Sequence, residues 1–364
     1  MKRTLVIEPY YGGSHKQFLK GLSNHITGNY CFFTLPARKW KMRMQLGAQW
    51  AVEQLEKLDQ EDRYFDTVLC STFMDVAVFN ALCAKVAGWN PNTTVLLYFH
   101  ENQFAYPAQV EDPSFFQFAS INFNSALAAD RIAFNSTFNR DSFFHGCEKI
   151  IRKVSDIRLV NTLDRLKGKA VVLYPGIDLD ALDRCAKHHK AQRTTPVVVW
   201  NHRWEHDKNP DEFFSVLTRL QLKNVKFELI LLGQSFTSLP PCFTGAKKTF
   251  CRELIHCGFV PSYDEYVGLL SRGTVVVSTS LHEFYGISVI EAVRAGCRPL
   301  LPQRLSYPEL FDNKFLYKEG TLESELEKIL NDNLLISQKE SREMTEQFGW
   351  NALRKDYRSW MGVD

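Results

Sequence analysis

Long apolar runs are missing from this 364-residue chain. No window approaches the roughly 18–20 apolar residues that a membrane-spanning helix needs. A large charge of one sign is missing too. The 44 Lys and Arg nearly cancel the 41 Asp and Glu, leaving a net charge of +3. Bulk charge therefore draws in no polyanion, and any such partner has to be met by a local patch. Nine cysteines are present, at 31, 70, 83, 147, 185, 242, 251, 257 and 297, but no two have C-x-x-C spacing and none pairs with histidine as in a zinc finger. That excludes a disulfide frame and points to reduced thiols in a cytosolic protein. The opening MKRTLVIEPYYGGSH has too short an apolar run for a signal peptide and reads as a first strand, so a soluble, cytoplasmic protein is expected. Neither G-x-G-x-x-G nor a P-loop Gly-Lys-Ser/Thr occurs.

What is present is a repeated alternation. The apolar runs TLVI (4–7), YCFFT (30–34), TVLC (67–70), VLLYF (95–99), RIAF (131–134) and AVVL (170–173) are each followed by a helix-length stretch. The pattern restarts with VVVW (197–200), FELILL (227–232), HCGFV (256–260), TVVVS (274–278) and RPLL (298–301). Strands alternating with helices mean parallel sheets with crossover connections, and two such series mean two doubly wound α/β domains. The seam is expected at 174–195, beginning YPGIDLD and ending in the basic run KHHKAQRTT. In open parallel sheets ligands bind beyond the carboxyl ends of the strands, so residues just after each run are the candidates.

Four clusters meet that criterion. Gly12 and Gly13 follow the first strand with Ser14 and His15; paired glycines let backbone N–H groups approach a phosphate, or simply form a strand-to-helix turn with Ser14 as cap. His100, Glu101 and Asn102 follow the fourth run and offer proton-handling and hydrogen-bonding groups, or a capping cluster. Arg203 and Lys208 lie in the loop after VVVW. A guanidinium fork and a point charge there suit a diphosphate, unless Glu205 and Asp207 neutralise them in a solvated loop. The most specific signal is HEFYGISVIEAVRAGCRP. Glu283 and Glu291, separated by seven residues, flank Gly286 at a helix start, which offers N–H groups to an anion and carboxylates to sugar and ribose hydroxyls. Asp178-Leu-Asp180 has the D-x-D form of metal-dependent transferases but lies at the seam. Arg38, Lys39, Trp40, Lys41 and Arg43 form a basic run around an indole, suited to phosphate contact and base stacking, or to a solvated face.

Together, the YPGID seam, the Arg203/Lys208 pair and the Glu283–Glu291 motif resemble the retaining GT-B glycosyltransferases of family four. EPYYGGSHKQ, TLPARKWKMR, YFHENQFAYP, AFNSTFN, HRWEHDKNP and HEFYGISVIEAV resemble more narrowly the tRNA-queuosine alpha-mannosyltransferases, from residue 1 to about 310. The resemblance implies a GT-B fold, with two Rossmann-like domains facing a central cleft and a C-terminal helix crossing back. It implies an acceptor-side domain over 1–175, a nucleotide-sugar domain over 194–345 and a returning helix over 346–364, with Trp350, Leu353, Tyr357 and Trp360 on one face. It implies GDP-mannose as donor and the cyclopentenediol of queuosine in tRNA-Asp as acceptor. Arg203 and Lys208 would clamp the diphosphate, Glu283 the transferred sugar and Glu291 the ribose. The backbone of Phe284, Tyr285, Gly286 and Ile287 would touch sugar and phosphate, and Val260 would border the base. Gly12 and Gly13 would lie near the diphosphate, and His100 would face sugar and acceptor. His15, Glu101, Asn102 and the 38–43 run would serve the acceptor.

Retention without an obvious enzyme nucleophile implies front-face attack through an ion-pair-like transition state, with catalysis by positioning and charge. No metal or other cofactor is expected, since two cations and a helix N-terminus meet the phosphates. The other readings are a GT-B enzyme with a different nucleotide sugar and a lipid or small-molecule acceptor, and an inactive RNA-binding module of the same fold.

Overall fold

Strands that are apolar along their whole length need cover on both faces, and the first six runs build such a sheet. The computed structural model describes residues 2–106, 115–153, 159, 161–187, 195–234 and 240–363. Strands β1 (Arg3–Tyr11), β2 (Asn29–Pro36), β3 (Thr67–Ser71), β4 (Thr94–Phe99), β5 (Arg131–Phe134) and β6 (Ala170–Val172) pair in parallel in the order β2-β1-β3-β4-β5-β6. Ile7, Cys70, Leu97 and Ile132 align across four strands and face one core with Leu55, Phe79 and Phe143. Val6, Leu69 and Leu96, one residue earlier, face the opposite core with Phe18, Leu22, Trp350, Tyr357 and Trp360.

That second core needs the end of the chain. The first compact unit comprises Met1–Ile177 and Trp350–Asp364, and the second Asp178–Gly349. The final helix, Trp350–Met361, has all its buried residues on one face. Its first indole sits between two glycines: a Cβ on Gly21 would come within 2.3 Å of the ring, and so would one on Gly176. The Tyr357 hydroxyl donates to Tyr174 O at 2.9 Å, and Arg131 donates to Trp360 O at 2.6 Å.

In the second unit β7 (Val197–Asn201), β8 (Glu228–Leu232), β9 (Leu254–Gly258), β10 (Val275–Val277), β11 (Arg298–Pro302) and β12 (Leu316–Tyr317) are parallel in the order β12-β11-β10-β7-β8-β9. Val198, Trp200, Leu229, Leu231, Val275 and Val277 face a core with Phe213, Phe214 and Leu217. The helix Leu179–Lys187, expected within the seam, belongs to this unit, where Arg294 pairs with Asp183 at 2.8 Å. Asp178 caps that helix, accepting from Ala181 N at 2.9 Å. The part of the expected seam at 188–194 lies outside the described residues. No helix among the described residues is long and apolar enough to cross a membrane.

The strand orders locate two switch points, between β1 and β3 in the first unit and between β7 and β10 in the second. Loops diverge there and leave a crevice at the carboxyl ends.

Trp350→Ala is expected to destabilise the first unit by about 3–5 kcal/mol, because the glycines around the ring cannot refill its space. Urea unfolding followed through near-ultraviolet circular dichroism measures this; an unchanged midpoint would show that the helix adds little to the core.

Candidate active site

At the second unit's switch point one loop leaves β7 and another leaves β10, and Lys208 joins them. Its residue closes a short 3-10 turn, His206–Lys208, after which Asn209 takes a left-handed conformation (φ 50°) and Pro210 starts the helix Pro210–Leu222. The buried Lys208 Nζ donates to His282 O at 2.6 Å and lies 3.3 Å from Glu283 Oε2 and 3.1 Å from Asp207 Oδ2. The backbone repeats the stitching: Leu281 and His282 N–H groups donate to Asp207 O at 2.8 and 3.2 Å, and Thr279 Oγ1 donates to Lys208 O at 2.8 Å. Burial opposes charge on Lys208 and on Glu283, yet their pairing wins. Burial pulls Lys208 down, but Glu283 and Asp207 together leave it above its ordinary value. Burial pushes Glu283 up, but Lys208, with smaller help from His202 and the Tyr285 N–H, holds it at about 2. His202 is buried beside them and falls to about 4, through burial first and the Lys208 charge second.

Arg203 is differently placed. Its side chain is 49% exposed and pairs with Glu205 at 3.1 Å. Such an exposed pair contributes roughly 0–1 kcal/mol, so a bound anion can readily take the guanidinium from it.

Glu291 sits inside the helix Ile287–Arg294 and is buried. Its Oε2 accepts from Tyr266 OH at 2.8 Å; Asn201 Nδ2 donates to that hydroxyl at 2.8 Å and to Ser288 O at 2.9 Å. Asn201 and Tyr266 were not anticipated. Asn201 ends β7 and Tyr266 lies on a separate helix, Tyr263–Ser271, so no local spacing joins them to Glu291. Gly286 caps the helix at φ 109°, and a Cβ there would come 3.3 Å from the Tyr307 ring. Phe284 and Tyr285 are buried, and the Tyr285 N–H donates to Glu283 Oε1 at 3.4 Å. Ser306 Oγ donates to Tyr285 O at 2.8 Å and fixes that stretch. Val260 lies two residues beyond β9, next to Phe259, which is largely exposed.

The first unit's switch point holds a buried polar cluster. Gly12 is extended and approaches Ala37 so closely that a Cβ would lie 2.5 Å from it; Gly13 takes φ 49° and opens the helix Gly13–His25. Gly12, not Ser14, is the cap. His15, one turn in, has Nδ1 at 2.8 Å from Glu8 Oε2 and Nε2 at 3.3 Å from Glu101 Oε2. Ser71 Oγ and Tyr10 N donate to Glu8 Oε1, each at 2.9 Å, and Thr72 Oγ1 donates to Glu101 Oε1 at 2.9 Å. His100 lies against His15 with ring centroids 4.0 Å apart. Carboxylates only accept, so both His15 nitrogens carry protons and the ring is an imidazolium. Burial alone would depress it, but Glu8 and Glu101 raise it to about 10. His100 moves the opposite way, well down, through burial and then through the neighbouring His15 charge. Glu8, His15 and His100 bring ligand-type atoms within 4.8 Å of one another, a metal-like grouping. The two carboxylates facing His15 make it a cation rather than a ligand. Glu8 went unnoticed in the sequence because it reads as the polar end of a strand.

Two expected acceptor contacts are used otherwise. Asn102 is fully buried: Nδ2 donates to Asn139 O, Asn139 Oδ1 and Ser142 Oγ, while Oδ1 accepts from Phe104 N and Ala105 N. Its amide has no capacity left for a ligand. Trp40 does not stand free for base stacking. It opens the helix Trp40–Glu56 and packs on Phe118 at 5.1 Å and Phe73 at 6.2 Å, with Lys41 Nζ 5.7 Å from its ring. Arg38 and Lys39 are exposed just before it, and Arg43 is partly buried.

Residues 3–177 match the family described as tRNA-queuosine alpha-mannosyltransferase N-terminal, and residues 184–352 match Glycosyl transferases group 1. Among curated proteins, the chain is 31% identical over 320 residues to the tRNA-queuosine alpha-mannosyltransferase of Drosophila melanogaster, covering 86% of this chain and 82% of that one. Among solved structures it is similar to Anabaena HepE in complex with UDP, at a TM-score of 0.71 with 14% identity and full coverage of both chains. It is also similar to an alpha,alpha-trehalose-phosphate synthase from Burkholderia xenovorans, at a TM-score of 0.70 and 11% identity over 99% of this chain and 100% of that one. Those distant structures share the GT-B fold with this chain.

The paired histidines give a direct test by proton NMR. His15 is expected to stay charged through pH 9, and its stabilisation of the fold, complete below the unfolded value near pH 6.5, is lost only as pH rises through about 10. His100 is expected to stay neutral well below the ordinary histidine range. Two ordinary titrations between pH 6 and 7 would contradict the cluster's charge assignment.

Proposed function

Because the chain belongs to the tRNA-queuosine alpha-mannosyltransferase family, we propose that this glycosyltransferase moves mannose from GDP-mannose to a cyclopentenediol hydroxyl of queuosine in tRNA-Asp, with retention at the anomeric carbon. The observation that carries the reading is Lys208, a buried cation set between two loops at a switch point with the Glu283 carboxylate beside it.

All three ammonium protons of Lys208 are engaged, by His282 O, Asp207 and Glu283. An arriving diphosphate displaces the longest of these contacts, the 3.3 Å one to Glu283. Glu283 is thereby released to hold sugar hydroxyls, while Glu291 takes the ribose. Arg203 leaves Glu205 for the outer phosphate oxygens. As the glycosidic bond lengthens, Lys208, Arg203 and the N–H groups at Gly286 stabilise the growing negative charge. The acceptor hydroxyl attacks from the face the diphosphate leaves and gives its proton to a departing phosphate oxygen. These groups supply the charge that a divalent ion supplies elsewhere, so no metal is required. In the first unit His100 meets the acceptor, and Arg38 and Lys39 contact tRNA phosphates near the modified base.

The test is incorporation of labelled mannose from GDP-mannose into tRNA from cells that make queuosine and from cells that do not. Label is expected in the first sample alone, at a rate unchanged by EDTA. Equal labelling of both samples, or of neither, overturns the acceptor assignment; loss under EDTA with recovery on adding Mn²⁺ overturns the metal-free mechanism.

A further inference from the structure

We infer that Glu101, backed by Glu8 through His15, recognises a protonated secondary amine on the acceptor, an inference that rests on the queuosine reading above. The hydrogen bonds fix the charges. Two carboxylates share one imidazolium, which leaves one negative charge uncompensated at the carboxyl ends of β1 and β4. Glu8 is sealed: its side chain is 1% exposed, with Ser71 and Tyr10 N on one oxygen and His15 on the other. Glu101 has one partner on each oxygen and a side chain 14% exposed, so it is the member of the pair that can accept again from outside.

A second observation points to a ligand at the same place. His100 is 6% exposed and packs against His15 with the rings tilted by 36°, and neither of its ring nitrogens has a hydrogen-bond partner among the described residues. Those nitrogens are left to meet a ligand. The rings of Phe73 and Tyr10 stand 5.3 and 6.0 Å from His15, one tilted and the other in a T-shaped arrangement with it, and make this an aromatic surround. Queuosine joins its cyclopentenediol to the base through a secondary amine that is protonated at neutral pH. With that ammonium on Glu101, the diol a few bonds away falls to His100, which pairs both groups with one ligand. The site thus reads the feature that separates queuosine from an unmodified guanine.

The experiment compares two anticodon stem-loop RNAs, one carrying the aminomethyl-linked cyclopentenediol and one with oxygen in place of the amine NH. Transfer from GDP-mannose is measured for the wild type, Glu101→Gln and Glu101→Asp, with donor affinity by calorimetry as the check that each variant is folded. The wild type is expected to prefer the amine by about 10–100-fold in kcat/KM, as a charge-assisted hydrogen bond in a dry site allows. Glu101→Gln is expected to lose that preference and Glu101→Asp to keep most of it, with donor affinity unchanged in both. A wild type that uses both RNAs equally, or a Glu101→Gln that still prefers the amine, overturns this inference alone. So does a preference abolished by EDTA, which would place a metal ion there. Absence of transfer to either RNA overturns the queuosine reading, and this inference with it.

Discussion

Lys208 carries its charge out of reach of water, and the carboxylates of Glu283 and Asp207 make that tolerable. A buried ammonium without partners would lose its proton or unfold its surroundings. With them it becomes a rivet between the loops leaving β7 and β10, and the surrounding backbone bonds to Asp207 O and Lys208 O hold the same geometry. Buried ion pairs seldom add net stability over a neutral pair of similar shape. The pair is therefore better understood as fixing the register of the two loops than as a net support of the fold. The helix start at Gly286 and the Asn201–Tyr266–Glu291 chain are then positioned relative to that rivet.

The first unit meets the same problem in the same way: its buried cation, His15, is held between two carboxylates, Glu8 and Glu101, as Lys208 is held between Glu283 and Asp207. The fold alone says nothing of this, since trehalose-phosphate synthase and HepE share it at 11–14% identity.

Most of the fold was legible because its parallel strands leave short, largely apolar runs. Eleven runs correspond to β1–β11, whereas β12, two residues long, carries no periodic signal. The candidate cluster of the second unit was legible where its residues lie near one another in sequence: Lys208 with Arg203, and Glu283 with Gly286 and Glu291. Tyr266, Asn201, Thr72 and Glu8 were not, because each reaches its partner across strands or from another helix. Asn102 and Trp40 mislead for the converse reason. A polar amide and an indole beside candidate site residues look available, and only the folded chain shows them consumed by Asn139 and by Phe118.

The most direct test is the affinity for GDP-mannose of the double variant Lys208→Met with Glu283→Gln, measured by calorimetry beside the wild type. Neutralising both leaves only Asp207, whose side chain is 24% exposed, to be solvated in place of its lost cation, so the urea midpoint should fall only slightly. Donor affinity should nevertheless fall by roughly 100-fold, about 2.7 kcal/mol. A double variant that binds GDP-mannose as tightly as the wild type would show that the buried pair serves the fold and that the donor is held elsewhere.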